Sequence, residues 1–539
     1  MLLNGIDWAV IAAFFAMLAL IPFVASLRSR RTANDFFTSG RSMPWWLIGF
    51  SMVAATTATD SANFFTEVIR RDGMSGNWVM WAFILTGLLT VFVYAKLWVR
   101  SGVSTDIEFY ELRYSGKPAV FLRAFRTLYL GVVFNVLVLG NVILAAVKIG
   151  VILFGIEPST IYVVTIVASV VYTFFGGIRG VIWTDFFLFL VIMAGAVAAM
   201  VYGLRLPEVG GIAGIVSNPE TARRLSILPD FSDWDTLVPV FVIPLAVQWW
   251  NVWKAGSEPG GGGYIVQRML TAKSDAHALG GTLFFNVLNW VIRPWPWYVV
   301  GLCSVLVYPD LASIQAAFPN VDPSLVQGDM AYPAMLTKVP NGWLGVVAAS
   351  MMGALFSTVA AHLNLGSAYM VNDFWKRFVR PKASDRELIW IGRSSMLLLL
   401  LLGCIIAPHL KSAKGAFDLM LLIGAGSGAI FLLRWFWMRI NAWTEIAGMG
   451  VSFVVAIVMQ CCYGHFEPWK KMLVTIVITS VSWLAVTFLT KPTDEATASR
   501  FKAAVRAKGR DVGKGVLYTA LSAFAIFFLM WAVGAVLFR

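Results

Sequence analysis

The chain has 539 residues, 59% of them apolar, a mean hydropathy of +0.75 and only 13% charged side chains. That is more apolar surface than a soluble fold of this length can hide, so it reads as a polytopic membrane protein, and as a helical one, because lipid leaves every backbone polar group to be satisfied internally. Its net charge of +13 sits in loops such as Arg28, Arg30 and Arg31 and the run from Arg500 to Lys514, which suit anionic lipid and exclude nucleic-acid binding as the economical reading.

About fourteen apolar spans follow one another at roughly 20 residues per crossing. The first, near 7–26, has no basic stretch before it and no small-residue cleavage site after it, so it is expected to be retained. The second, near 44–69, does not finish as an ordinary span: after Ala54 and Ala55 it becomes Thr56, Thr57, Ala58, Thr59, Asp60 and Ser61. An ionisable group near mid-membrane costs about 2.5 to 3.5 kcal/mol on insertion scales and faces a cavity, a partner or a pathway rather than lipid. This stretch is therefore expected to serve a solute or an ion. Spans near 77–98, 121–154, 158–178 and 180–203 come next.

The seventh span, near 236–256, carries Gln248, Trp249, Trp250, Asn251, Val252, Trp253 and Lys254 into Gly256, Ser257, Glu258, Pro259 and four further glycines. Such a stretch is either a plain loop or a broken transporter helix. The aromatic faces and amides beside it suit a polar organic ligand. It lies five spans after the second, the offset expected if spans two to six and seven to eleven are inverted repeats.

The eighth span, near 277–307, contains Asn289, Trp290 and Arg293. With Asp60, Ser61, Asn251, Trp253 and Lys254 these are the residues expected at a central solute cavity. Arg293 and Asp60 either pair with each other or both engage a polyhydroxylated or zwitterionic ligand. The ninth span, near 339–370, places Ala354, Ser357 and Thr358 at i, i+3 and i+4, on one helical face. Hydroxyls there either bond back to the preceding turn and neighbouring helices or serve a hard cation. His362 is a core histidine or a proton relay.

Spans near 388–408, 415–436, 441–463, 470–490 and 515–537 complete the chain. Cys303, Cys404, Cys461 and Cys462 fall within or at the ends of spans, as small core residues do, and their spacing suggests neither zinc nor a redox pair. Lys and Arg concentrate in the loops of one side, which by the positive-inside rule puts those loops in the cytoplasm and both termini outside. The expected division is 1–43 as an extra helix and linker, 44–203 as one five-helix repeat, 204–235 as a connection, 236–440 as the second repeat and 441–539 as added helices.

Several local motifs resemble the sodium:solute symporter family, whose members share the LeuT-type inverted-repeat fold. Asp35-Phe36-Phe37-Thr38-Ser39-Gly40-Arg41-Ser42-Met43-Pro44-Trp45-Trp46 resembles the family's approach to core helix 1, and Ser104-Thr105-Asp106-Ile107-Glu108-Phe109 its segment after core helix 2. Phe175-Gly176-Gly177 through Trp183-Thr184-Asp185 is similar to the start of core helix 5, and Tyr264-Ile265-Val266-Gln267-Arg268 to the segment after core helix 6. Gly353 to Asn364 is similar to core helix 8. The resemblance implies one sodium ion, held by Ala354, Ser357 and Thr358 and by the carbonyls of Ala54 and Thr57 where core helix 1 is interrupted. Ala360 and Ala361 stand where some relatives have hydroxyls for a second sodium, so one site is expected. Asp185 is either a carboxylate on the ion's exit route or a cap of core helix 5.

The function implied is sodium-coupled import of a small polar organic solute across a cell membrane, a bacterial inner membrane, by a monomeric unit in the bilayer. One sodium falling through about 100 mV and a tenfold gradient releases roughly 2.3 plus 1.4 kcal/mol, enough for about 500-fold accumulation of a neutral solute but only roughly tenfold of a monoanion. That favours a neutral sugar-like or zwitterionic cargo. Proton coupling, or an organic acid as cargo, is the variant within the same fold. A channel would need repeated polar faces or a filter loop. An intramembrane enzyme would need an acid/base pair or a metal cluster.

Overall fold

Where a chain crosses lipid it must satisfy its own backbone, and among the described residues no strand forms; the one bridge joins Met43 and Ala272. The computed structural model describes residues 3–27, 42–103, 106–173, 178–505 and 509–538. Asp35 to Arg41, Ser104 and Thr105, Phe174 to Gly177, and Arg28, Arg30 and Arg31 lie outside the described residues.

The first half comprises α1 (Gly5–Leu27), α2 (Trp45–Thr56), α3 (Thr59–Asp72), α4 (Met74–Ser101), α5 (Gly116–Phe154), α6 (Pro158–Thr173) and α7 (Ile178–Leu204). The second comprises α8 (Trp234–Ala246), α9 (Gly263–Met269), α10 (Asp275–Val307), α11 (Trp343–Val379), α12 (Asp385–Ile406), α13 (Ala413–Gly424) and α14 (Gly428–Leu433). Then come α15 (Ala442–Cys462), α16 (Pro468–Leu489) and α17 (Gly509–Leu537). Nine described helices are long and apolar enough to cross a bilayer, and four shorter apolar helices, among them α2 and α8, accompany them.

Two spans are interrupted where polar and flexible residues replace apolar ones. Thr57 and Ala58 leave helical geometry between α2 and α3 (ψ 88° and 166°), so the chain crosses as two half-helices. The second break is longer. After α8 the backbone makes one tight turn at Gln248–Trp250, becomes extended at Asn251, and passes Gly256, Gly260 and Gly261 before Gly263 opens α9, all four glycines at positive φ. Only glycine adopts that conformation repeatedly at no steric cost.

α7 packs against α1, α2, α10 and α11, while α5 packs against α3, α11 and α12. The broken spans thus sit at the centre, with α15 and α16 paired at the periphery. A further interruption, at Ala425–Ser427 between α13 and α14, was not expected. There α13 and α14 lie directly on the unwound backbone of the second break: a Cβ on Gly424 would stand 1.6 Å from the Val252 carbonyl oxygen, and one on Gly428 1.5 Å from that of Trp250. The expectation that all four cysteines are core residues needs correcting, since Cys461 and Cys462 are exposed at the end of α15, Cys404 is half-buried and only Cys303 is buried.

Candidate functional site

A cavity of about 130 Å3, partly open to solvent, lies between the two breaks. Asp60, Ser61, Trp253, Lys254, Asn289, Trp290 and Arg293 all line it, together with Asn141, Glu258, Tyr264 and Asn286. A π-helical turn at Leu288–Ile292 in α10 sets the orientation of Asn289 and Arg293. Phe64, Phe83, Phe417 and Trp253 form an aromatic cluster in its wall, with ring centroids 5.2 Å apart for Phe64–Phe417 and Trp253–Phe417.

Asn251 corrects the expected list. It is fully buried and does not line the cavity; its extended backbone turns the amide away, and its Nδ2 lies 3.2 Å from the Met472 sulfur of α16. Arg293 and Asp60 do not pair. Arg293 Nη1 donates to the Thr56 carbonyl at 3.0 Å and the Thr57 hydroxyl at 3.1 Å, at the break itself, while Asp60 accepts from Asn141 Nδ2 at 2.6 Å. A guanidinium is well matched to this position, because the last carbonyls of α2 are without helix partners and carry partial negative charge.

The glycine-rich stretch is both loop and cavity wall. Glu258 accepts from the Gly256 amide at 2.6 Å and from Arg126 Nη2 of α5 at 2.8 Å. The glycines wrap this buried carboxylate so closely that a Cβ on Gly262 would lie 2.5 Å from it.

The residues expected at sodium are buried between α2, α7 and α11. Thr59 Oγ1 donates to the Met351 carbonyl at 3.1 Å, fixing the start of α3 against α11 one turn from Ala354. The Thr57 hydroxyl bonds back to the Val53 carbonyl at 2.6 Å. Neither Ser357 nor Thr358 does the same. Ser357 Oγ lies 3.4 Å from Asp185 Oδ1, and Thr358 Oγ1 is buried with no hydrogen-bond partner among the described residues. An orphaned buried hydroxyl costs about 1 to 3 kcal/mol. Hydroxyl and carbonyl oxygens are the ligands that a hard cation takes.

Asp185 is not a helix cap. It lies inside α7 and accepts from Ser51 Oγ of α2 at 2.7 Å, from Arg268 Nη2 of α9 at 3.1 Å and from Ser357 of α11, tying both broken spans to the ninth. His362 is buried with Nδ1 2.5 Å from Asn135 Oδ1, in a helix contact between α5 and α11. Arg126, Asn141 and Glu258 were missed as site residues. Their signal was present: isolated polar side chains inside α5, and a carboxylate among glycines.

Two half-helices meeting at a polar cavity inside an all-α, multi-pass membrane protein define a secondary transporter of the LeuT type. The sequence model of the sodium:solute symporter family matches residues 36–451, and the chain belongs to that family. It is 26% identical over 501 residues to a sodium/glucose cotransporter of Vibrio parahaemolyticus, covering 89% of this chain and 90% of that protein. With sodium/glucose cotransporter 4 of Danio rerio the identity is 26% over 509 residues, covering 86% and 73%. The solved structure of a Na+-coupled sialic acid symporter, in a substrate-bound outward-open state, matches with a TM-score of 0.71 at 21% identity, over 91% of this chain and 99% of that one, which shows the shared fold. The protein is a sodium-coupled solute transporter and not an enzyme, and Na+ is its co-transported ion.

Proposed function

We propose that the protein imports a small, sugar-like polar solute, neutral or zwitterionic by the single-sodium arithmetic, with one sodium ion per cycle. Sodium bound by the carbonyls of Ala54, Thr57 and Ala354 and the hydroxyls of Ser357 and Thr358 stabilises the state that takes up solute. Solute then occupies the cavity at Asp60, Ser61, Trp253, Lys254, Asn289, Trp290 and Arg293, and the bundle rocks against its scaffold to release both. The repeats are 44–203 and 236–440, with 1–43 and 441–539 as additions. The unit works as a monomer in a cell membrane, a bacterial inner membrane, with both termini outside the cytoplasm.

The observation that carries this reading is the buried hydroxyl of Thr358 on α11, which has no hydrogen-bond partner among the described residues, next to a Ser357 whose hydroxyl lies by Asp185. The names of relatives at about a quarter identity, sodium/glucose, sodium/mannose and sodium/myo-inositol cotransporters, support a polyhydroxylated cargo. The test is uptake into proteoliposomes with an imposed sodium or proton gradient across sugars, polyols, amino acids and organic acids. Sodium-driven uptake that Ser357→Ala weakens is the expected result. Uptake driven by a proton gradient alone, or sodium dependence unchanged in Ser357→Ala, overturns the cation assignment.

A further inference from the structure

A second cavity, of about 290 Å3 and partly open, lies between α4, the start of α10 and the first turns of α17, and shares no lining residue with the solute cavity. Phe92, Lys96 and Arg100 stand at i, i+4 and i+8 on α4, so one face of its last turns presents two cations to this hollow. α17 comes close to α4 here, because a glycine occupies the crossing. A Cβ on Gly515 would lie 2.9 Å from the Phe92 carbonyl oxygen and 2.8 Å from a Val93 methyl. That approach sets Lys514 and Tyr518 on the opposite wall, the Tyr518 ring 5.9 Å from that of Phe92.

Among the described residues the lining holds three cations, Lys96, Arg100 and Lys514, against one carboxylate, Asp511. All four are exposed, and none of their side chains makes an ion pair or a hydrogen bond with a described residue. Basic side chains at span ends often reach bulk headgroups with no site formed. Here they surround a hollow between helices, roomier than the solute cavity of about 130 Å3. Like charges around one space repel until an anion enters it.

The position of the cavity says how that anion is carried. α17 has 29 residues, about 43 Å of helix, against a hydrocarbon core of about 30 Å. Its first turns therefore reach the headgroup layer. From Lys514 an exposed apolar ridge of Leu517, Leu521, Phe524 and Phe528 follows at spacings of three and four, on the same helical face. A phosphate seated at Lys514 can lay acyl chains along that ridge, whereas a soluble phosphate would leave it unused.

We infer that this cavity binds the headgroup of an anionic glycerophospholipid, with its phosphate held by Lys96, Arg100 and Lys514 and its headgroup hydroxyls donating to Asp511. Basic pockets between spans suit such headgroups. A zwitterionic headgroup also brings a phosphate, but its ammonium would enter a lining already in excess of positive charge.

The test is native mass spectrometry of the full-length protein in detergent, titrated with phosphatidylglycerol or with phosphatidylethanolamine of the same acyl chains. Saturable binding is expected, about tenfold tighter for phosphatidylglycerol. Lys96→Gln, Arg100→Gln and Lys514→Gln together are expected to remove that preference. Lys382→Gln, Lys491→Gln and Lys502→Gln remove three exposed cations outside the cavity and are expected to change it by less than about twofold. Millimolar inorganic phosphate is expected to leave the lipid bound. Equal binding of the two lipids, a preference that survives the first triple change, or an equal loss in the second overturns the inference. Displacement by inorganic phosphate also overturns it, by giving the cavity to a soluble phosphate compound. The comparison of the two lipids on the unmutated protein stands even where a variant fails to fold.

Discussion

Glu258 and Arg126 meet at 2.8 Å with both side chains almost completely buried, one inside the glycine turn of the second break and the other on α5. The pair joins the unwound seventh span to a long helix of the first half. Arg126 also lies over the Phe431 ring at 4.6 Å, so its charge is enclosed on more than one side.

Removing one member of a buried pair strands the other charge, at a cost of about 3 to 5 kcal/mol, while replacing both by apolar groups costs much less. Glu258→Ala is therefore expected to lower the melting temperature in detergent markedly. Arg126→Met combined with Glu258→Met is expected to lose less than the sum of the two single changes. Additive losses in that cycle would show that the two residues are not coupled.

Thr358 offers a sharper separation of structure from ion binding. Its hydroxyl is buried without a partner among the described residues, so Thr358→Val keeps the shape and removes the orphan. Stability without sodium is expected to stay level or rise, by up to about 1 kcal/mol. Sodium at ten times its dissociation constant stabilises a binding-competent protein by about 1.4 kcal/mol, and that increment is expected to vanish in the variant. Melting curves with and without sodium, at constant ionic strength set by choline, decide it. A sodium increment that persists in Thr358→Val would remove this hydroxyl from the site.

Much of this arrangement was legible in the chain. A carboxylate among threonines inside an apolar run marks a break, because lipid tolerates neither an unpaired charge nor an unsatisfied backbone there. Glycine and proline at high density mark the second break, and the spacing of Ala354, Ser357 and Thr358 puts them on one face. What escaped notice was polar chemistry diluted by long apolar context. Arg126, Asn141 and Lys148 are single residues within the 39-residue α5, and only the fold reveals that Lys148 pairs with Asp329 at 2.5 Å and Arg126 with Glu258. The direction of Asn251 depends on one extended residue after a tight turn, which no periodicity encodes.

Asp185 accepts from Ser51, Arg268 and Ser357, and so links a hydroxyl expected at sodium to both broken spans. Asp185→Asn keeps the size but leaves Arg268 with no carboxylate and changes how the Ser357 hydroxyl is held. The half-saturating sodium concentration for uptake is expected to rise about tenfold, equivalent to about 1.4 kcal/mol. Solute affinity at saturating sodium is expected to stay within about twofold. Sodium titrations of uptake at fixed solute make the measurement, and an unchanged sodium dependence would leave Asp185 a structural tie between helices.

Gly424 and Gly428 bring α13 and α14 onto the unwound backbone at Val252 and Trp250, closer than any Cβ permits: 1.6 and 1.5 Å from the two carbonyl oxygens. Both obstacles are backbone, so no side chain can swing aside, and an added methyl must push the helix off the break. Gly428→Ala is expected to abolish solute uptake and to lower thermal stability by more than the 1 to 3 kcal/mol typical of overpacking, roughly, because the displaced segment runs straight into Trp253 and Lys254 on the cavity wall. Gly450→Ala on α15 is the matched control: nothing lies within 4 Å of its added Cβ, and removing glycine from a helix interior gains about 0.5 to 1 kcal/mol. That variant is expected to keep wild-type uptake and melt at the same temperature or slightly higher. Uptake rates and melting curves for the two variants, made side by side, check the packing directly; wild-type behaviour in Gly428→Ala would mean that α14 does not rest on the break at all.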